Sequence, residues 1–206
     1  MGPARPMGLT VRMDVNGFAE FDFGDARRND PAAVVDVSPA SLGDVAAIIS
    51  IEQQSRPSQP GPAALDAAVR DPERYVAVAS VNGEVVGWGK THFWDYDDGP
   101  APSGHYLGGV TVLSAWRRRG VGAALTTARL QWIWARAADA WYVVNARNLV
   151  SIELHRRWNF TEVARGPTFH TTTFTGGVGL LMRAAPADSG AAYGQVPRQE
   201  PPTAGG

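Results

Sequence analysis

The segment with the clearest chemical potential is a loop rich in arginine and glycine, placed between a predicted strand and a predicted helix. Residues 116–123 read WRRRGVGA. Gly120 and Gly122 permit positive φ angles and a close approach of the main chain to a ligand. The helix that follows contributes unpaired N–H groups and the positive end of its dipole. Each arginine that meets a phosphate adds about 1.5–3 kcal/mol, so the loop predicts a pyrophosphate ligand. The residues assigned to this ligand are Arg117, Arg118, Arg119, Gly120, Val121, Gly122 and Ala123.

Two common phosphate-binding motifs fit this loop less well. A Walker-type loop needs a lysine directly after its last glycine, and the only lysine in the chain is Lys90, far upstream. A dinucleotide fingerprint needs a third glycine, where Leu125 stands, and an acidic residue at the end of the next strand. Asp139 precedes the next apolar run, Trp141–Val144, instead of ending it. A nicotinamide or flavin site is therefore disfavoured.

Two segments resemble the motifs of one enzyme superfamily. The strand Gly109–Leu113, followed by Arg117-x-x-Gly120-x-Gly122, resembles the central R/Q-x-x-G-x-G/A motif of the GNAT N-acetyltransferases. Residues 148–160 read NLVSIELHRRWNF and resemble the N-x-x-A-x-x-L-Y-x-x-x-G-F segment of the same superfamily. The two motifs occur in the family's order, and the resemblance covers residues 34–183.

The resemblance implies that the co-substrate is acetyl-CoA and that its acetyl group passes directly to an amine. The pyrophosphate is then expected against the backbone of residues 118–123, and the pantetheine arm beside the strand residues Val110, Thr111 and Val112. An amide N–H near Val112 is expected to face the thioester oxygen, where it would stabilise the tetrahedral intermediate.

The second motif departs from the superfamily at the residue that protonates the leaving thiolate. His155 stands where the family carries tyrosine, and an imidazole with its ordinary pKa near 6.5 can donate a proton at neutral pH. The alternative is that His155 is a partly buried histidine bonded to a backbone carbonyl group. On the same helix, Asn148 and Ser151 are expected to belong to the cofactor-binding residues, Asn148 by bonding the pantetheine amide region.

The sequence offers no clear general base. The segments 106–110 and 141–144, which form the strands where family members often carry a glutamate, contain no carboxylate. A relay through water could use a few nearby side chains instead, whereas an amine with a low pKa needs no strong base. We select Tyr106 as a catalytic candidate and His92, Asp95 and His105 as candidates on the substrate side.

A loop of acidic and aromatic residues lies near the expected entrance for the acceptor. Residues 94–98 read WDYDD, and this composition could attract a cationic amine by charge and cation–π contact. A solvated surface turn is the alternative. We favour a small-molecule amine as the acceptor. A protein N-terminus or lysine remains an alternative, as does a non-catalytic acetyl-CoA-binding module, and a homodimer is left open.

A mixed α/β fold must position these residues. Hydrophobic periodicity and turn signals predict the order β-α-α-β-β-β-α-β-α-β-β, a mixed sheet with helices on both faces. This order agrees with the GNAT fold, whose central sheet is splayed. The third helix is expected over residues 120–137, with one buried stripe, and the fourth over 149–158, with apolar side chains stacked at i, i+4 and i+8. These residues are Val121, Leu125, Ala128, Trp132 and Ala135 in the third helix and Val150, Leu154 and Trp158 in the fourth.

The predicted domain (33–184) is flanked by an N-terminal extension (1–32), which reads as a β-hairpin or an irregular leader, and by a disordered tail (185–206). The 206 residues carry a net charge of −1 and no cysteine. This charge gives no general attraction to nucleic acid or to anionic membranes, and the lack of cysteine excludes a disulfide framework and a thiolate nucleophile. No apolar run approaches the roughly 20 residues of a membrane span, and the N-terminus lacks the apolar core of a signal peptide. We therefore expect a cytoplasmic protein without a metal site.

Overall fold

The computed structural model describes residues 34–55, 61–174 and 176–186. The strands are β1 (Asp36–Pro39), β2 (Val76–Val81), β3 (Glu84–Trp94), β4 (Gly104–Val112), β5 (Ala140–Asn145), β6 (Thr161–Gly166), β7 (Thr168–Phe169), β8 (Thr172–Thr173) and β9 (Gly179–Ala184). The α-helices are α1 (Val45–Gln53), α2 (Pro62–Arg70), α3 (Val121–Trp134) and α4 (Leu149–His155). Short 3₁₀ segments precede α1 and α3 and follow α4, at Leu42–Asp44, Ser114–Trp116 and Arg156–Trp158.

The predicted order of helices and strands is confirmed, with one addition. The two-residue strands β7 and β8 form a separate hairpin between β6 and β9, in a stretch where the sequence predicted nothing regular. The predicted N-terminal extension (1–32), and the predicted tail (185–206) beyond residue 186, lie outside the described residues. None of the helices in the described part of the chain has the length and hydropathy needed to cross a membrane.

The central sheet has seven strands in the order β1-β2-β3-β4-β5-β9-β6. Every neighbouring pair is antiparallel except β4 and β5. This parallel pair is joined at a single register position, Tyr106 opposite Trp141. Because β4 continues to Val112 without further register pairs to β5 among the described residues, a gap opens in the middle of the sheet. The splayed sheet implied by the family resemblance is therefore present.

Helices cover both faces of the sheet. On one face, Ile48 of α1 and Leu65 of α2 pack with Trp88 of β3. On the other face, α3 crosses from the first half of the sheet to the second. Its Val121 and Leu125 pack with strands β1 to β4, whereas Leu130 and Ile133 pack with β5 and β9.

The predicted stripe of α3 is correct only in its first half. Val121, Leu125 and Ala128 are buried, but Trp132 is half-buried and Ala135 is exposed. The sheet twists beneath the helix, so the face of α3 that meets it turns along the helix axis. Leu130 and Ile133 therefore take the buried positions near its end.

The apolar side chains predicted to stack along α4 do not form its most buried face. Val150 is 39% exposed, while Ser151 and His155 form the buried face. The imidazole of His155 stacks on the ring of Tyr142, with 4.2 Å between ring centroids. This stacking sets the rotation of the helix, so Ser151 and His155 are its buried residues, while Ile152 packs against the core only partly buried.

Candidate functional site

The first turn of α3 presents unpaired N–H groups at the end of β4. Gly120 occupies the N-cap position with a φ of 83°, and no side chain caps the helix. The first helical hydrogen bond runs from the Ala124 N–H to the Gly120 carbonyl oxygen, at 2.8 Å. The N–H groups of the first turn, from Val121 to Ala123, precede that bond and are available to an anion.

The loop reaches this conformation through different residues than the sequence suggested. A positive φ is found at Gly120 as predicted, but not at Gly122, which lies inside the helix; Arg118 has a φ of 64° instead. Two of the three arginines shape the loop itself. The Nε of Arg117 donates to the Val112 carbonyl oxygen at 3.2 Å, and the guanidinium of Arg119 lies 5.2 Å from the centre of the Trp116 ring. Arg117 thus fixes the loop to the end of β4, and any contact with a phosphate would be made by its remaining N–H groups.

The strand β4 borders the central gap with its last residues. Val110, Thr111 and Val112 all have buried side chains, so a ligand lying in the gap would meet their main chain and not their side chains. Between β3 and β4 the register shifts: Gly89 faces Val110, but Thr91 faces Leu107. Two residues of β4 therefore lie opposite one residue of β3, which is a β-bulge next to the gap.

A buried carboxylate that was not predicted from the sequence lies behind this part of β4. Glu52 of α1 is 2% exposed. Its Oε1 accepts a hydrogen bond from the Trp88 Nε1 at 3.0 Å and a short one from the Thr111 hydroxyl. A signal was available, because Glu52 follows the predicted core residue Ile48 by four positions and must share its helix face.

The helix α4 follows β5 after three residues and packs its His155 ring on Tyr142 of that strand. Its N-terminus is capped as predicted, since the Asn148 Oδ1 accepts from the Ser151 N–H at 3.1 Å. The amide nitrogen of Asn148 takes no part in that cap. Ser151 is 4% exposed, and its hydroxyl lies 3.4 Å from the His155 Nδ1.

His155 is 1% exposed and holds a defined tautomer. Its Nδ1 lies 2.7 Å from the Ser151 carbonyl oxygen, and because that oxygen can only accept, Nδ1 carries the hydrogen. Its buried Nε2 has no hydrogen-bond partner among the described residues. Burial lowers the pKa of His155 to about 3, so the ring is neutral and Nε2 presents a lone pair. The alternative weighed from the sequence, a histidine bonded to a backbone carbonyl group, describes this geometry.

The catalytic candidate Tyr106 and the substrate-side candidate His92 lie together, on the face of the sheet that carries α1 and α2. His92 and Tyr106 are directly opposite each other in the β3–β4 register, and the rings of His92 and Trp94 stack at 6.2 Å. Asp95, which follows Trp94, is exposed. Burial, chiefly, lowers the pKa of His92 to about 3, so this imidazole is also neutral.

Tyr106 is poorly suited to act as a base. Burial, together with Asp97 and Asp98, raises the pKa of its phenol above the ordinary value. Its hydroxyl donates to the Pro102 carbonyl oxygen at 2.7 Å. A role for Tyr106 would therefore be one of hydrogen bonding within a relay.

His105 does not lie with the other substrate-side candidates. Successive residues of a strand point to opposite faces, and His105 packs edge-on against Trp132 of α3, at 5.2 Å between ring centroids. Its Nε2 lies 3.9 Å from a carboxylate oxygen of Glu73. The prediction that His105 shares a site with His92 and Asp95 does not match this placement, because the sheet separates them.

An unpredicted residue, His170, completes an aromatic cluster above Tyr106. It sits on the β7–β8 hairpin, and its ring stacks on Trp94 at 4.8 Å and meets Tyr96 edge-on at 5.1 Å. Its Nε2 lies 3.3 Å from the Tyr106 hydroxyl, and its backbone N–H donates to Asp98 at 2.6 Å. The hairpin thus closes over the end of the acidic loop. The sequence carried no signal for it, because β7 and β8 are too short for periodicity to reveal them.

This arrangement combines an uncapped helix N-terminus, a gapped sheet and an aromatic cluster, and the sequence profile of the Acetyltransferase (GNAT) family matches residues 44–160, more than half of the chain. The chain belongs to the GNAT acetyltransferase family. Members of this family are acetyl-CoA-dependent N-acetyltransferases, so the protein is classed with the acyltransferases. The matched span contains the loop, the bulged strand and helix α4 of this GNAT protein. A search of curated proteins finds no significant match.

Solved structures agree with the GNAT fold. The ribosomal-protein-S18-alanine N-acetyltransferase from Escherichia coli is 18% identical, with a TM-score of 0.60 over 78% of this chain and 99% of that one. The protein yncA from Salmonella typhimurium, solved with its cofactor acetyl-CoA, is 19% identical, with a TM-score of 0.59 over 76% and 96%. NAA60 from Arabidopsis thaliana, in complex with acetyl-CoA, is 16% identical, with a TM-score of 0.59 over 74% and 98%. At these identities the likeness concerns the fold.

Proposed function

We propose that this GNAT protein transfers the acetyl group of acetyl-CoA to the primary amine of a small molecule by direct attack. The observation that carries the proposal is the uncapped first turn of α3 beside the gap between β4 and β5. When bound, acetyl-CoA supplies an activated acyl group. The N–H groups from Val121 to Ala123, together with Arg118 and Arg119, would hold its pyrophosphate.

The pantetheine arm fits the gap. A sheet gap offers main-chain donors and acceptors along a strand edge, and β4 presents residues Val110–Val112 there with their side chains turned into the core. From the opposite side of the gap, the amide nitrogen of Asn148 and the neighbourhood of Ser151 would complete the binding site. Holding two substrates side by side can lower a barrier by about 7–11 kcal/mol, so positioning carries most of the proposed catalysis.

We also propose His155 as the acid that protonates the leaving thiolate of CoA. A lone pair on Nε2 cannot protonate a thiolate, and the low pKa opposes the imidazolium form. The role therefore requires a change in the surroundings of His155 once the co-substrate is bound. Glu52, the buried carboxylate bonded to Thr111, enters the proposal as a candidate base.

The residues around Tyr106, where the acceptor is proposed to bind, favour a small cationic amine as the substrate. The β7–β8 hairpin covers Tyr106 and packs Phe169 into the same cluster, which narrows the approach to the sheet. Asp97 and Asp98 accept hydrogen bonds from the Ser103 and His170 N–H groups, each at 2.6 Å, so two acidic side chains are held beside the aromatic cluster. A positively charged amine would be attracted by this charge and by the rings beside it.

A second candidate is acetylation of a protein. It is favoured by the relative from Escherichia coli, which is an N-acetyltransferase for ribosomal protein S18 alanine. A thiol-release assay with acetyl-CoA separates the two, with one arm of polyamines, aminoglycosides and amino-acid derivatives and another of peptides with a free N-terminus or lysine. We expect turnover in the first arm. Turnover only with peptides would support the second candidate, and acetyl-CoA binding without turnover in either arm would indicate a non-catalytic binding module.

A further inference from the structure

Arg129 of α3 is completely buried, at 0% exposure, and is among the largest such side chains in the described part of the chain. Burying a guanidinium is costly unless its donors are satisfied. Within the described residues its acceptors are neutral oxygens and not a carboxylate. Two of them belong to its own helix, the Leu125 carbonyl oxygen at 3.3 Å and the Thr126 hydroxyl at 3.4 Å.

The other two acceptors mark the bulge in β4. The Nη1 of Arg129 donates to the Lys90 carbonyl oxygen of β3 at 3.0 Å and to the Gly108 carbonyl oxygen of β4 at 3.2 Å. Gly108 and Gly109 are the residues that the register leaves opposite Lys90. A bulge disrupts the local ladder, and Arg129 supplies the donors that the ladder no longer provides.

The bond to Arg129 fixes the direction of one peptide group. The described part of the chain contains no cis peptide bond, so the Gly109 N–H points opposite to the Gly108 carbonyl group. That carbonyl group points at α3, and the N–H therefore points away from α3. Gly109 is also the only partly exposed residue between His105 and Val112. The bulge thus presents one outward-facing N–H at the place where β4 becomes accessible.

We propose that Arg129 is a positioning residue that holds the Gly108–Gly109 peptide so that the Gly109 N–H receives the thioester oxygen of acetyl-CoA. The proposal rests on the acetyl transfer proposed above and moves the donor from the neighbourhood of Val112 to Gly109. A charged donor on the carbonyl oxygen polarises the peptide, and the N–H at its other end becomes a stronger donor. The buried charge therefore acts on the oxyanion through one peptide group.

The glycine at position 108 belongs to the same arrangement. A Cβ placed there would lie 2.7 Å from the His92 ring and 3.0 Å from the Lys90 carbonyl oxygen. The second contact is to backbone, which cannot move aside without opening the bulge. Only glycine lets the strands approach closely enough for one guanidinium to reach both carbonyl oxygens.

The test follows backbone amides by NMR, with ¹⁵N-glycine-labelled protein titrated with CoA and with acetyl-CoA. In the wild type we expect the Gly120 signal to move with both ligands and the Gly109 signal to move further with acetyl-CoA. In Arg129→Met, which keeps the side-chain length without the charge, we expect Gly120 to respond as before and the acetyl-specific shift of Gly109 to be lost. Arg129→Lys should retain part of that shift, because it keeps the charge.

Each outcome bears on one proposal. No response of Gly120 to either ligand would refute the acetyl-CoA site itself. A Gly120 response without an acetyl-specific shift of Gly109 in the wild type would overturn the inference and leave the proposed function intact. An undiminished Gly109 shift in a folded Arg129→Met protein would overturn it as well. Unfolding of both variants would assign Arg129 to stability alone. Once an acceptor amine has been identified, Arg129→Met should lower kcat by at least about tenfold with little change in KM for acetyl-CoA. Complete loss of an oxyanion donor lowers kcat by about 10²–10³-fold.

Discussion

Replacing Gly120 by aspartate tests the anion site at the first turn of α3. The fold should tolerate the change, because a Cβ at Gly120 meets no heavy atom within 4 Å. The strain comes from the backbone, since a φ of 83° is left-handed and costs a side-chain-bearing residue about 1 kcal/mol. In a protein of this size such a loss lowers Tm by about 2–4 °C.

The effect on binding should be much larger than the effect on folding. The new carboxylate would stand in front of the N–H groups of Val121 to Ala123, where the pyrophosphate is proposed to lie. Two like charges about 4 Å apart repel by about 4 kcal/mol at an effective dielectric constant of 20. Because each 1.4 kcal/mol is a factor of ten, the Kd for CoA should rise by about a thousandfold.

Gly120→Asn is the matched control. Asparagine has the shape of aspartate and tolerates the left-handed region equally well, but it carries no charge. Isothermal titration with CoA should show the asparagine variant weakened by no more than about tenfold, with both variants melting together. Equal affinities in the two variants would remove the charge argument, and near-wild-type affinity of the aspartate variant would refute the assignment of the loop.

Three further predictions concern buried polar groups. Glu52→Ala should lower the free energy of unfolding by about 2–6 kcal/mol, because it leaves Trp88 Nε1 and the Thr111 hydroxyl without their acceptor at about 1–3 kcal/mol each, whereas Glu52→Gln keeps an oxygen there. In denaturant titrations Glu52→Gln should therefore be less destabilising than Glu52→Ala. If Glu52 is the general base, Glu52→Gln should nevertheless abolish turnover and leave the affinity for acetyl-CoA unchanged. The folded-state pKa of His155, about 3, lies below its unfolded value, so its contribution to stability is complete above pH ~6.5 and falls by up to about 1.4 kcal/mol per pH unit below it. His155→Phe should remove this share of the acid sensitivity, and a wild-type slope identical to that of the variant would contradict the buried neutral ring. If His155 is also the acid, the same variant should lower kcat without changing the Kd for acetyl-CoA, and an unchanged kcat removes it from catalysis.

The order of elements could be predicted because local signals mark most of their ends. Asn82-Gly83 has positive φ at both residues, 51° and 85°, as the hairpin signal requires. Asn148 caps α4, and Asn159 ends the following 3₁₀ turn with a φ of 57°. These residues act through their own backbone preferences, so their effect is visible in the sequence alone.

The rotation of each helix about its axis and the contacts between distant residues could not be predicted in the same way. The buried face of α3 turns because the sheet beneath it twists, and α4 is rotated by a single ring stack between His155 and Tyr142. Arg129 was overlooked because a buried arginine is rare, and only the bulge in β4 explains its place. Its two acceptors in the sheet lie 39 and 21 positions away in the chain, beyond the range of any periodic pattern.

The strands β4 and β5 share a single register position, so the central sheet consists of two halves with little backbone pairing between them. Apart from it, α3 spans the division, with Leu125 packed in one half and Ile133 in the other. A small molecule that bonded to both strand edges would act as a missing strand and mechanically couple the halves. We expect hydrogen exchange in the ligand-free protein to show two cooperative units with different opening free energies. The two units should merge into one when a ligand occupies the gap between β4 and β5.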